Sequence, residues 1–422
     1  MTRHQDDLPK HWFTALTKIE ASEMKATLTS FAFIFWLMVA YNILKPVRDA
    51  MAPEWSDMEL ASLWGINFVF STVAVFLYSV AVSTFKLKNV IPGVYIFFGA
   101  SFVAFYAVAS TFTDSAIINK AFYVWISVFS LFHVSVFWGL MADLYTKEQA
   151  PRLFAFIASG GSIGVIAGAS MTIFLVERIG TLNIMLVAAV ILVSIIPLIT
   201  ILRSSPGDGA AASSQDKPIS GNPFSGFVKF VTNPYLLGIG LFIFLYTFIG
   251  SFAYFEIKNL MAGNDRDTNA AIWAGINLSV NIIAIITAML ATGRITKAVG
   301  LGKTLAMIPL FVSIALLAVF ASPVLAVIIA AWVTLKAGNY SITKPGREML
   351  YTNVGREDRF KTKQVIDIVV YRGGDVFSGF IFALLTTTFG LGLGPIALIG
   401  AVVALVWAYV GLRLGTTYDR ES

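Results

Sequence analysis

The sequence contains no cysteine, which excludes a disulfide framework, a thiolate metal site and a cysteine nucleophile. Histidine is nearly absent too: there are three, and only His133 falls inside an apolar stretch. Nothing therefore resembles the nucleophile–base or metal constellation that an enzyme needs, and no cofactor is called for. Charge is the third scarcity. Soluble domains carry about 25% charged residues, whereas here they make up 13% of 422 residues against 57% hydrophobic ones. That is too little polar material to cover a soluble globule, so the class is an all-α membrane protein. Thirty-five phenylalanines suit lipid-facing helices with interfacial aromatic belts. The net charge of +6 reads as orientation in the bilayer and not as nucleic-acid affinity, because the basic residues cluster in short loops. The expected partners are the lipid bilayer and a small anionic solute, with no nucleic acid, and the expected state is a monomer.

Residues 1–26 carry mixed charges without a cleavage site and read as a cytoplasmic segment. Trp12, Leu16 and Ile19 share one helical face there and suggest a short interfacial helix. A membrane span needs about 20 apolar residues. On that criterion twelve are expected, at 27–48, 59–84, 90–112, 120–144, 153–176, 182–202, 235–257, 269–292, 304–321, 323–344, 364–389 and 395–413. A Ser/Gly/Ala/Pro-rich linker at 203–222 separates the first six from the last six. The expected domains are thus 27–202 and 223–413, followed by a cytoplasmic tail at 414–422.

With the N-terminus inside, 22 of the 30 lysines and arginines fall in the tails and inner loops, and the positive-inside rule then puts both termini in the cytoplasm. The halves also repeat. Trp64-Gly65-Ile66-Asn67 returns within Trp273-Ala274-Gly275-Ile276-Asn277, Tyr41 and Lys45 return as Tyr254 and Lys258, and Lys147-Glu148 with Arg152 returns as Arg356-Glu357 with Lys361. Gly160-Gly161 returns as Gly373-Gly374. The offsets stay between 209 and 213 residues, too constant for chance. Six spans per half is an even number, so the repeat is parallel. The expected fold is twelve transmembrane helices in two parallel-repeat six-helix bundles, the major facilitator type.

Three stretches carry a family resemblance: YNILKPVRDAM at 41–51, FYVWISVFSLFHVSVFWG at 122–139, and KPGREMLYTNVGREDRFKTKQVIDIVVYRGGD at 344–375. They resemble the ATP/ADP antiporter (nucleotide transporter) family of energy parasites, plastids and bacterial relatives. The resemblance implies a facilitator-like fold and counter-exchange of nucleotides. It would set the family's basic position in span one on Arg48, its acidic position in span seven on Glu256, and its basic pair before span eleven on Lys361 and Lys363. Where the family's exchangers carry an acidic residue early in span four, this chain offers Ser127 and Ser130.

Ionisable groups at membrane depth are costly and mark substrate or ion paths. Lys45, Arg48 and Asp49 end span one, where Arg48 could hold an anion in bidentate geometry and Lys45 as a point charge; the plain alternative is snorkelling to the outer interface. Pro46 between them is expected to open the helix. Glu256 and Lys258 end span seven in the matching place, and Glu256 could pair with Arg48 when no cargo is bound, or belong to a surface ion pair. Asp367, Tyr371 and Asp375 follow at helical spacing on one face of span eleven, with Arg372 three residues before Asp375 and able to pair with it. Lys336, deep in span ten, has no neighbour in sequence to neutralise it. Trp64 with Asn67, and Trp273 with Asn277, give each half an aromatic and an amide suited to a planar polar group, or to interhelical hydrogen bonding alone. Gly160, Gly164 and Gly168 read as a packing stripe, and His133 as a satisfied interface histidine.

Together these define a secondary transporter in which Arg48, Lys336 and Arg372, helped by Lys45 and Lys258, bind an organic anion in one vestibule. Tyr41, Tyr371, Trp64 and Trp273 grip its flat part, and Asp49, Glu256, Asp367 and Asp375 balance charge. Lys147, Glu148, Arg152, Arg356, Glu357, Lys361 and Lys363 form a cytoplasmic gate, or reflect positive-inside topology alone. The rival expectations are a proton-coupled carrier or exporter of another metabolite, such as a siderophore or cell-wall fragment, and a non-transporting sensor. The topology is tested by fusing green fluorescent protein to each terminus in turn in a bacterial host: both fusions fluoresce if both ends are cytoplasmic, and a dark fusion refutes the orientation.

Overall fold

A computed structural model describes residues 19–20, 22–84, 87–112, 115–145, 149–204, 225–288, 293–351, 354, 362 and 365–421. Among the described residues every regular element is helical. Hydrocarbon offers no water to peptide groups, and a helix satisfies them within one segment. The helices are α1 Met24–Met51, α2 Asp57–Thr84, α3 Leu87–Thr111, α4 Ala116–Leu144, α5 Ala150–Ser194, α6 Ile196–Ser204, α7 Ser225–Thr232, α8 Pro234–Leu260, α9 Arg266–Thr287, α10 Gly293–Ala321, α11 Leu325–Gly338, α12 Lys344–Leu350, α13 Tyr371–Thr387 and α14 Leu393–Glu421. Among the described residues ten stretches are long and apolar enough to cross a membrane. One of them, Phe156–Leu202, holds two expected spans that join at Gly180. The eleventh expected span is built from the π-helical segment Val365–Val370 followed by α13. Span ten likewise passes through a π-helical segment, Asn339–Thr343, into α12.

Several expectations meet a different geometry. Pro46 does not open α1, which runs unbroken from Met24 to Met51. The expected tail at 414–422 is the end of α14, helical to Glu421. Of the interfacial helix, Trp12 and Leu16 lie outside the described residues, as do Lys217 and the rest of the linker at 205–222. The short helix α7 before span seven was not anticipated; it seats Phe230 on α8 at Gly240, where a Cβ would come within 2.6 Å of the ring.

By its contacts the chain divides into two units. One comprises Met1–Ala50, Phe70–Ile219 and Arg266–Gly275; the other comprises Met51–Val69, Ser220–Asp265 and Ile276–Ser422. Each unit therefore includes the opening turns of a helix from the other sequence half. In the second unit Trp64 of α2 packs on Tyr254 and Phe255 of α8, with ring centroids 5.6 and 5.1 Å apart. In the first, Lys45 of α1 sits 6.0 Å from the ring centre of Trp273 of α9. The two arrangements are repeat mates, since α8 corresponds to α1 and Trp273 to Trp64.

Tight turns also recur. Gly180 and Gly300 adopt positive φ, 73° and 80°, a region open to glycine at little cost. Each opens a new helix whose first amides are capped by a distant aspartate. Thr181 N donates to Asp267 at 3.0 Å within the first unit, and Leu301 N to Asp419 at 3.1 Å within the second. The orphan amides of a helix start are thus satisfied without water.

Backbone contact organises the first unit's core. A Cβ at Gly160 would lie 2.7 Å from the carbonyl oxygen of Phe31, and one at Gly168 would lie 2.9 Å from that of Val39. At Gly164 it would run into the carbonyl of Phe35. The stripe is the surface on which α5 meets α1, where small residues let helix backbones approach. Large apolar side chains point outward instead: Phe76, Leu77 and Val190 are each at least 60% exposed, as lipid requires. We expect Gly164→Ala to destabilise the protein by about 1–3 kcal/mol. Gly139→Ala, with nothing within 4 Å, should be neutral or stabilising. Thermal unfolding in detergent distinguishes them, and equal midpoints would refute the close-packing role.

Candidate functional site

The end of α1 carries a three-charge cluster in the first unit. Asp49 is fully buried and both its oxygens are engaged. One accepts from Arg48 Nε at 2.9 Å and Nη2 at 2.6 Å, the other from Lys45 Nζ at 3.0 Å. Arg48 Nη1 donates to Ser127 Oγ at 3.1 Å, and its guanidinium lies 5.3 Å from the centre of the Tyr123 ring. Two cations thus share one carboxylate. Within the first unit Arg48 is partnered by Asp49, its immediate neighbour, which needs no second helix to reach it.

Seven residues back along α1, Tyr41 stacks on His133 of α4, centroids 4.2 Å apart and planes at 29°. His133 is 4% exposed, and neither ring nitrogen has a hydrogen-bond partner. The expected satisfied histidine is therefore an unsatisfied one. Sequence reasoning missed it because a lone histidine in an apolar run gives no sign of what surrounds it.

In the second unit Lys258 forms a buried lock. Its Nζ donates to Asp57 Oδ1 and to the Trp55 carbonyl, both at 2.7 Å. Thr386 Oγ1 donates to Asp57 Oδ2 at 2.7 Å. The alternative of a surface ion pair with Glu256 is thereby overturned: Lys258 is 2% exposed and its partner is Asp57. Asp57 was not singled out in the sequence. The signal was present, because Asp57 and Asp267 stand 210 residues apart in the first turns of α2 and α9.

Lys336 lies in a cage of rings. Its ammonium is 3.2 Å from Tyr246 Oη, 4.9 Å from that ring's centre and 4.5 Å from the Trp332 ring. Aromatic faces stabilise a cation, which answers the lack of a neutralising neighbour in sequence. Tyr371 lies against Tyr246, centroids 6.3 Å apart. The expected Arg372–Asp375 pair is not a contact: no ion pair within 4.0 Å joins them. Of the expected face of Asp367, Tyr371 and Asp375, Asp367 belongs to the π-helical segment, and its side chain lies outside the described residues. Segments of this kind recur at functional sites, and here they flank the Lys336 and Tyr371 positions.

Trp273 is fully buried and Asn67 is 8% exposed, so both belong to helix packing in this conformation. Asn277 is half-buried and its carbonyl accepts from Asn281 Nδ2 at 2.8 Å. Glu256 is 1% exposed, and neither of its oxygens has a hydrogen-bond partner. Of the expected gate, Lys147, Glu148, Arg356, Glu357, Lys361 and Lys363 lie outside the described residues, and so does the side chain of Arg152.

The model of the Major Facilitator Superfamily matches residues 24–353. Among solved structures, the nucleoside transporter NupG superposes with a TM-score of 0.63 at 12% identity, over 93% of this chain and 99% of that chain. A bacterial homolog to the human lysosomal transporter Spinster, inward-facing and unoccupied, gives 0.57 at 14% identity over 94% and 96%. A bacterial metal transporter gives 0.63 at 10% identity over 94% and 99%. At such identities the likeness concerns the fold alone. No curated protein matches the sequence.

Removing the carboxylate of Asp49 strands two cations. Asp49→Asn should therefore cost about 3–5 kcal/mol, as breaking one partner of a buried pair does. Adding Arg48→Gln should return part of that loss, a coupling that a double-mutant cycle on thermal midpoints measures. Strictly additive effects would refute the cluster.

Proposed function

Since the chain belongs to the Major Facilitator Superfamily and is a multi-pass membrane transporter and not an enzyme, we propose that its cargo is a small organic anion, with a nucleotide as the leading instance, moved by alternating access across the inner membrane. The observation that carries this reading is the cluster of Lys45, Arg48 and Asp49, in which one carboxylate serves two cations. An incoming phosphate or carboxylate competes with Asp49 for the same guanidinium. Such charge-assisted contacts are worth about 1.5–3 kcal/mol each. Release of the cargo returns Arg48 to Asp49, which keeps the unloaded carrier from exposing a bare cation.

Within the second unit, Lys336 stands with Tyr246, Trp332 and Tyr371 as flat surfaces around it. Cations bordered by aromatic rings suit a ligand with an anionic end and a planar end. The three stretches resembling the ATP/ADP antiporter family support the nucleotide reading and exchange as the mode. Lys258 takes a structural part in this scheme, because Asp57 and the Trp55 carbonyl already hold it.

Proteoliposomes preloaded with unlabelled ADP test the reading. The wild-type protein takes up labelled ADP or ATP by counterflow, and adenosine, which lacks the phosphate, serves as the comparison. Arg48→Ala should reduce nucleotide uptake by about tenfold or more, the equivalent of about 1.4 kcal/mol, with unchanged membrane insertion. Undiminished uptake by that variant refutes its role, and uptake of adenosine alone refutes the anion.

A further inference from the structure

We propose that Glu256 is a proton-binding site that links transport to proton movement: it holds a proton in the conformation described here and releases it in the conformation that wets it. The inference rests on the transporter reading and names what couples to it. Glu256 lies four residues before the end of α8 at Leu260, 1% exposed, with neither carboxyl oxygen hydrogen-bonded. An ionised carboxylate without donors in such a place costs several kcal/mol, and a protonated one does not carry that charge.

Among the described residues, the cations on the elements packed against α8 are engaged elsewhere or distant, and Glu54 of the short turn Ala52–Glu54 and Glu59 of α2 are acids that do not stabilise a second carboxylate. On α8 itself Lys258 is two residues on, and side chains at that spacing do not face each other. Its ammonium is bound to Asp57 of α2. On α11 the charge is Lys336, which lies beside Gly250 and Tyr246 of α8. Six residues separate Gly250 from Glu256, about 9 Å at about 1.5 Å per residue. On α13 the charges are Arg372 and Asp375, at the level where Gly374 meets Thr247, farther still along α8. The helix α14 has no ionisable side chain before Tyr409. No ion pair within 4.0 Å reaches Glu256 from any of them.

The same packing that buries this carboxyl holds the end of α8. Phe255, next to it, lies 5.1 Å from Trp64 of α2 and 4.9 Å from Phe382 of α13, and the Lys258–Asp57 bond closes the contact one half-turn further on. Loosening α2 and α13 from α8 would expose the carboxyl to water, where it ionises. A proton therefore binds more tightly to the packed conformation than to the loosened one, and by linkage its presence favours the packed conformation. A carrier whose conformations differ in proton affinity moves protons as it cycles. The step is a simple ionisation: the proton leaves the carboxyl oxygen for water on the side then exposed.

Two measurements on the full-length protein in lipid decide it. Infrared difference spectra between mildly acidic and alkaline pH should show the C=O stretch of a protonated carboxylic acid at neutral pH, and that band should vanish in Glu256→Gln. A band of the same size in both proteins, or none in the wild type, overturns the proposal whatever the cargo is. In proteoliposomes containing a pH-sensitive dye, ADP entry through the wild-type protein should change the internal pH. A one-unit pH gradient should then support up to about tenfold accumulation for one coupled proton, and Glu256→Gln should lose that accumulation. Nucleotide movement without any proton signal overturns the coupling and leaves the transporter reading intact. Failure of ADP to move overturns the nucleotide reading instead, and the infrared band still decides the state of Glu256.

Discussion

Hydrocarbon contains nothing that can hydrogen-bond, and every polar group that enters it must bring a partner. That constraint explains why the regular elements described here are helices, and it also explains the details. Thr181 and Leu301 begin helices after glycine turns, and aspartates remote in sequence cap them. Hydroxyls inside helices turn back to carbonyls of the preceding turn, as Thr172 does to Gly168 and Ser378 to Gly374. Lys336 has no carboxylate in contact and leans on two aromatic rings.

The parallel repeat adds a second layer. Each half begins its second helix with an aspartate, and each of those aspartates satisfies a group from the other half. Asp57 receives Lys258 and Thr386, while Asp267 receives the amide of Thr181. The mates are not identical. Lys258 answers Asp57 across sequence halves, whereas its repeat mate Lys45 turns to Asp49 on its own helix. The position matching Asp49 in the second half is Ala262. One substitution between copies thus separates a lock that joins helices from a cluster in which two cations share one carboxylate. In the proposed scheme that asymmetry divides the labour, one copy holding structure and the other meeting the anion.

Much of the architecture was legible because it depends on composition and period. Apolar runs about 20 residues long survive without knowledge of neighbours. The glycine stripe of α5 was legible for the same reason, since small residues at one face admit a backbone. The pairings were less so. Sequence proximity suggested Arg372 with Asp375 and Lys258 with Glu256, but rotation about the helix and the π-helical turn at Val365–Val370 decide which side chains meet. Asp57, Tyr246 and Trp332 are invisible as partners until three helices are placed together. His133 is the converse case: its type was noticed, and its missing partners are a property of its surroundings.

The buried carboxyls can now be compared with one another. Asp49 has a guanidinium and an ammonium, and Asp57 an ammonium and a hydroxyl. For each, ionisation is stabilised by donors in place. Glu256 has the same burial and no donor. If its burial served packing alone, an apolar side chain of similar size would do so without the cost of desolvating an acid. A carboxyl differs from such a side chain in one useful respect, which is that it can take up and lose a proton. Its place two residues from the Lys258 lock means that any motion freeing that lock also changes what surrounds the acid. A proton is small enough to reach the site through transient openings, and it removes the charge that the site cannot tolerate. On these grounds Glu256 belongs with the moving parts of the carrier, and Asp57 and Lys258 with the parts that hold them.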